Sequence, residues 1–510
     1  MNELSIVQLD EPLLSFAGGQ KLEGPKDGLF LFGPLEDAGG RSEIRVGVIG
    51  TAVGNGLCKK WFERVSGPVS GDLDGADNPK LWAPQWPGFE ACFGTRLPSH
   101  LSTITVDAAH IDEAIKKGNR SDAIRSTVLI YANAIRSYLR SEERHPDVWM
   151  AVIPDIVYRY GRPQVSMPPV AERTESTLVS KKAADRFFSS GDLFPEEFKT
   201  ADAYLYSSNF HHQLKAELLK DSVALQLILE STLYDRRVIS NSGRVTGLQD
   251  EATVAWNFST TLYFKTGNKP WALADVRPGV CYVGLVFKKN DTPGANGEAC
   301  CAAQMFLDSG DGIVFRGALG PWYSDESGEY HLSQSAAQSL MQSVVLGYED
   351  NHGHPPKELF IHGRHYFDKN EWNGFLAAVP DSTNLVGIRI TTGDEIRLFR
   401  PSSSKPVLRG TALIVTPRQG YLWSRGYVPR LSAYQGFETP KPLAIQVTHG
   451  EADIGRVMTD VLGLTKVNYN ACDFASGLPV TLKFADRVGD ILMASPHTTH
   501  SAPLPFRFYI

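Results

Sequence analysis

Residues 280–289 read VCYVGLVFKK and residues 300–317 read CCAAQMFLDSGDGIVFRG. Both are apolar runs, and Asp308-Ser309-Gly310-Asp311-Gly312 inside the second reads as a hairpin turn, so strands in succession are expected here. Working outward, SQSAAQSLMQSVVLGYED (333–350) carries helical spacing. KELFIHG (357–363), LVGIRIT (385–391) and VLRGTALIVTP (407–417) read as further strands, and EADIGRVMTDVLGLTK (451–466) as a helix. Strands, a helix, more strands and a closing helix describe a mixed-sheet α/β domain, not a fully alternating βα repeat.

Upstream the pattern changes. RRVISNSGRVTGLQD (236–250) is polar and turn-rich, which puts a domain boundary near residue 240. Before it, NFHHQLKAELLKDSVALQLILE (209–230) reads as mostly helical, with His211 and Lys215 four apart and on one face. DVWMAVIPDIVYRYGRP (147–163) holds a buried strand from Val148 to Ile153 that ends at Pro154. Residues 109–140 read as a long helix or a broken pair, and SEIRVGVIG (42–50) as a strand. Helix, buried strand and polar strand end predict a second α/β domain whose functional surface lies at the carboxyl ends of its strands.

At 510 residues the chain exceeds one compact core, and two domains are expected. Lys and Arg total 51 against 57 Asp and Glu, a net charge of −6, which argues against an indiscriminate nucleic-acid binder while leaving room for a narrow basic channel. Six cysteines lie without metal or disulfide spacing, so buried thiols in a reducing cytoplasm are the plain reading. No apolar run is long enough to span a membrane, and MNELSIVQLDEP lacks the character of a signal peptide.

The order of several motifs then resembles one family. WNFSTTLYFKTGNKPWAL (256–273), followed by YVGLVF, looks like the entry to the PIWI domain of Argonaute proteins, with Gly267 to Trp271 as its turn. LFIHGRHYF (359–367) resembles the strand that ends in His-Arg-Asp-Gly in that family, and residues 464–492 resemble its closing helix pair. HHQLKAELLKDSVALQLI (211–228) resembles the MID segment that binds a guide's 5′ phosphate, and DGLFLFGP (27–34) the opening of that domain. The resemblance implies a Rossmann-like MID domain over 1–240 and a ribonuclease H-like PIWI domain over 241–510, as in short prokaryotic Argonautes that work with an APAZ-containing effector.

The stretch IHGRHYF (361–367) is conspicuous for what it lacks. Two-metal nuclease chemistry needs clustered carboxylates. The positions that match the family's first and third carboxylates are Val286 and Arg364, and neither side chain ligates a metal ion. The resemblance therefore implies a PIWI domain that binds a duplex without cutting it. Asp308, Asp311, Glu326, Glu329 and Asp473 are the carboxylates left for an unconventional site, and His362 and His365 are either backbone contacts or satisfied strand-end residues.

The family pattern assigns His211, Lys215 and Gln226 to the guide 5′ phosphate, together with the Ile510 carboxylate and a Mg²⁺ ion that it holds. Lys265, Lys269, Lys288, Lys289, Lys483, Arg487 and Arg507 are candidates for nucleic-acid backbone contacts, each also readable as an ordinary surface charge. By this resemblance the chain takes a 5′-phosphorylated RNA guide, pairs it with invading DNA, and activates a TIR-APAZ partner that degrades NAD. A SIR2-APAZ or nuclease-APAZ effector, or guided cleavage by the chain itself, are the alternatives.

Overall fold

Val148–Ile153 is buried at every position, as a run with no polar alternation requires when both faces of its sheet are covered. In this computed structural model residues 4–510 are described apart from 72–80, 177, 191–200, 235–236, 240–244, 248–249, 290–298, 307–311, 321–322, 325–327, 402, 435, 437 and 497–503. Strand β1 (Ser5–Gln8) comes first in the chain. Four parallel strands then make one sheet: β2 (Val46–Gly50), β3 (Ser102–Thr105), β4 (Val148–Ile153) and β5 (Leu225–Leu229), in the order β3-β2-β4-β5. Its helices are capped as their sequences dictate. Thr51 accepts from the Gly54 N–H at the start of α1 (Ala52–Ser66), and Asn119 does the same for α2 (Arg120–Ser141). Because Asn119 caps a new helix, residues 109–140 form a broken pair, with Ala108–Ile115 before α2.

A short helix α3 (Asp155–Tyr160) and helix α4 (Phe210–Leu219) follow. The expected helix over 209–230 stops at residue 219. Ser222 adopts φ 52°, and the apolar LQLIL beyond it joins the parallel sheet as β5. Tertiary pairing overrides the local helical spacing there.

Helix α5 (Glu251–Lys265) opens the second half. Asp250 caps it, and it is buried on nearly all sides, so it runs through the interior. The second sheet contains β6 (Val280–Lys289), β7 (Ala299–Phe306), β8 (Gly312–Gly320), β9 (Glu358–Gly363), β10 (Asn384–Thr392), β11 (Thr411–Thr416), β12 (Gln419–Leu422), β13 (Leu443–His449) and β14 (Leu504–Pro505). Its order is β1-β11-β12-β13-β10-β9-β6-β7-β8-β14, with β6, β9 and β10 mutually parallel and the other pairs antiparallel. The β8-β7-β6-β9-β10 portion is a mixed sheet of the ribonuclease H-like kind. Helices α6 (Gln334–His352) and α7 (Lys369–Ala378) pack on it, and α8 (Val480–Lys483) and α9 (Ala485–Leu492) cross β6.

Ser5 pairs with Ile414, so β1, at the start of the stretch expected as the first domain (1–240), is the edge strand of the larger sheet. The halves also share one core. Val48, Val148 and Met150 of the smaller sheet and Tyr282, Val386 and Ile388 of the larger one belong to a continuous apolar cluster around α5. Trp86 meets Trp256 edge-on at 4.8 Å, and Phe93 stacks on Tyr263 at 4.5 Å. Among the described residues no helix is long and apolar enough to cross a membrane.

Candidate functional site

The carboxyl ends of β4 and β5 meet α4 and the last residues of the chain around a cavity of about 660 Å³. Gly161 makes the junction possible. Its N–H donates to the Val157 carbonyl at 2.7 Å and its carbonyl accepts from the Phe210 N–H at 2.8 Å. A Cβ at Gly161 would stand 2.5 Å from the Val157 oxygen of α3 and 3.0 Å from Phe210 Cβ of α4, so a larger residue would force the two helices apart. The Asn209 side chain then accepts from the His212 N–H and starts α4.

The helical spacing places His211 and Lys215 on the cavity wall, where Gln226, Arg487 and Ile510 join them. Arg162 also lines it, its guanidinium 3.8 Å from the centre of the Tyr158 ring. Among the described residues that line this cavity, none is Asp or Glu. The consequence is visible in the titrating groups. Burial and then Arg487 push Lys215 down to about 7. Burial and then Lys215 hold Lys265 well below the ordinary lysine value. Burial, then Lys215, does the same to His211. An anion entering beside Lys215 would favour its charged form.

Lys265 is fully buried, bonded to the Leu225 carbonyl at 2.6 Å and to the Ile510 oxygen. It is an interior strut behind the cavity, not the exposed backbone contact its sequence position implied. Lys215 donates to the Tyr509 carbonyl at 3.3 Å. These two lysines anchor the last residues, and Phe506, Phe508, Tyr509 and Ile510 are all buried. The side chains on this wall supply few oxygens for a Mg²⁺ ion beside the Ile510 terminus. A hard dication needs near-octahedral oxygen ligands. Here no carboxylate side chain lines the wall among the described residues, and the Ile510 oxygen accepts from Lys265.

The other backbone candidates scatter. Lys269 pairs with Glu36 at 3.1 Å and Lys288 with Asp490 at 3.2 Å. The side chain of Lys289 lies outside the described residues. Arg507 lies over Phe508, on the same side of the chain end as Gly267. Lys483 lines a separate cavity of about 410 Å³ with Arg409, Arg425 and Asp473. Of that group only Arg487 opens into the larger cavity. Sequence reasoning missed Arg162 and His212. The signal for Arg162 was the turn Gly161-Arg162-Pro163 directly after a helix at a strand's carboxyl end.

On the larger sheet, β6 and β9 run parallel with Gly284 beside His362, which carries Val286 alongside Arg364. Both line a cavity of about 190 Å³ with Glu329, Tyr330 and His365. Glu329 is the one carboxylate among those lining residues. Asp308, Asp311 and Glu326 lie outside the described residues. His362 is a core histidine: its Nδ1 sits 2.9 Å from Thr481 Oγ1, and burial pushes it down to about 3, so it stays neutral. Among the described residues the one grouping of three metal-ligating side chains is His331, His365 and Glu371, an incomplete set for two-metal nuclease chemistry.

No family model matches the chain. The protein argonaute of Aquifex aeolicus (strain VF5) is 22% identical to it over 306 residues, 59% of this chain and 38% of that protein. Clostridium butyricum Argonaute, solved with a guide DNA and a 19-mer target DNA, superposes with a TM-score of 0.64 at 14% identity, covering 99% of this chain and 55% of that one. A. aeolicus Argonaute with externally bound siRNA gives 0.53 at 14% identity, and Drosophila Piwi 0.54 at 12%, each over 99% of this chain and 56% of the other. The chain thus spans 38% of its curated relative and little more than half of these solved proteins. At low identity, the chain is similar to Argonaute proteins and has the MID-PIWI fold.

Proposed function

We propose that the chain is a guide-binding protein that holds the 5′ phosphate of a short RNA in the cavity between α4, β5 and the chain end, and pairs that guide with complementary single-stranded DNA. The observation that carries this reading is a cavity with no Asp or Glu among its described lining residues, on whose wall Lys215, His211, Arg162 and Arg487 lie. Backbone contacts of this kind position a nucleic acid, and base pairing supplies the sequence information. Gln226 donates its amide to the phosphate, and Lys215 offers its amine from the same wall. The incomplete ligand set near Val286 and Arg364 supports binding without cleavage. An effector in another polypeptide would then deliver the output. A TIR-APAZ protein that degrades NAD is the partner the resemblance favours, and a SIR2-APAZ or nuclease-APAZ protein would use the same sensor.

The test compares 5′-phosphorylated and 5′-hydroxyl oligonucleotides on the native chain and on Lys215→Ala with Gln226→Ala. The native chain should prefer the phosphate, and the double variant should lose that preference. An undiminished preference in the double variant places the phosphate elsewhere.

A further inference from the structure

His331, His365 and Glu371 come from three different elements: the segment before α6, the turn after β9, and the first turn of α7. Their ligand atoms all lie within 4.8 Å of one another. Glu371 is fully buried, and backbone donors orient it: the Leu332 N–H reaches Oε1 at 2.8 Å and the Asp368 N–H reaches Oε2 at 3.1 Å. His331 Nδ1 lies 2.8 Å from Oε2. His365 Nε2 lies 3.7 Å from Oε1, beyond hydrogen-bonding range, and is a buried nitrogen with no hydrogen-bond partner among the described residues. Phe287 and Phe367 pack edge-on against the His365 ring at 4.8 and 5.2 Å and fix its direction.

We propose that these three side chains form a binding site for a divalent transition ion of the zinc class, separate from the phosphate cavity. Two imidazoles and one carboxylate suit such an ion, whose ligands stand at about 2.0–2.2 Å, so that neighbouring ligand atoms sit roughly 3.4 Å apart. The 2.8 and 3.7 Å separations bracket that value, and a small rotation of His331 away from Glu371 opens the centre. The backbone N–H groups on Glu371 are the outer support that metal-bound carboxylates commonly have. A hard ion such as Mg²⁺ is disfavoured by the nitrogen donors. The ion gives the His365 nitrogen a direct partner and compensates the buried Glu371 charge. It also ties the β9 turn to the starts of α6 and α7, beside Val286 and Arg364. It is a clamp that reaches the 190 Å³ cavity through His365 alone, not a nuclease centre.

The experiment strips the full chain with chelator, then titrates it with Zn²⁺, and with Co²⁺ followed by its visible absorption. One tightly held equivalent with the intense bands of four-coordinate cobalt is expected, with a rise in melting temperature. His331→Ala and His365→Ala should each weaken uptake by about 100-fold or more, and His331→Cys, which restores a soft donor, should recover part of it. X-ray absorption of the zinc-loaded native chain should count two imidazole ligands, a readout that needs no variant to fold. No stoichiometric uptake, uptake that survives both alanine variants, or fewer than two imidazoles would overturn the proposal. The three residues would then be a hydrogen-bonded cap on α7.

Discussion

Replacing Lys215 by methionine should stabilise the empty protein while removing its preference for a 5′ phosphate. Lys215 is 5% exposed, and its pKa falls from 10.5 to about 7 on folding. Between those two values the unfolded chain holds a proton that the folded chain has released, so stability rises with pH through this window. At pH 7 the buried amine therefore costs the folded state on the order of 4 kcal/mol. Methionine fills the same volume without that cost. It also leaves the Tyr509 carbonyl without its donor at 3.3 Å, a loss of about 1–3 kcal/mol. A net gain of about 1–3 kcal/mol should remain and appear as a higher melting temperature. A hydrogen bond from an ammonium to phosphate contributes about 1.5–3 kcal/mol, so the ratio of affinities for phosphorylated over hydroxyl guide should fall by about 10- to 150-fold. Thermal melts of the empty protein and fluorescence anisotropy with both guides measure the two effects. A lower melting temperature together with an unchanged ratio would refute the reasoning, because Lys215 would then be a structural residue and not a waiting cation.

The pH profile gives an independent check: phosphate entry draws a proton onto Lys215, so the preference should decline from about pH 7 to 9, by up to about tenfold per unit. A flat profile, or calorimetry showing no proton uptake, counts against this role for Lys215. Excess chelator should leave the preference within about twofold, because the cavity charge comes from amines, whereas adding a few small residues after Ile510 should weaken guide binding by about tenfold or more, since Ile510 is 2% exposed and its oxygen is bonded to Lys265. A large chelator effect would restore a metal to that cavity. With guide and matched target in Mg²⁺ or Mn²⁺, neither the native chain nor Arg364→Ala should cut, and loss of one exposed cation should weaken target binding by less than about tenfold. Scission at one phosphate would show that carboxylates such as Asp308, Asp311, Glu326 or Asp473 complete a metal site.

Much of this protein follows from local pattern alone. The apolar run Val148–Ile153 reads as a buried strand and is one, and the strand succession from 280 to 363 specifies a mixed sheet, whereas the helix Lys369–Ala378 was not read from the sequence. The spacing of His211 and Lys215 put both on one face of α4, and both do line the cavity. What those residues face was not local information. Lys265 looks like a charge ending an amphipathic helix, yet α5 is enclosed by both halves, so its amine ends among the Leu225 and Ile510 oxygens, which lie 40 and 245 residues away in sequence. The strand Ser5–Gln8 pairs with Thr411–Ile414 because an open sheet edge accepts any extended segment, a choice its own four residues do not encode. Likewise His331, His365 and Glu371 become neighbours only when α6, β9 and α7 pack together. Sequence periodicity determined which elements exist and which faces they bury. The long-range packing decided which charges lost their water, and that loss of hydration is what gives the cavity lysines their chemistry.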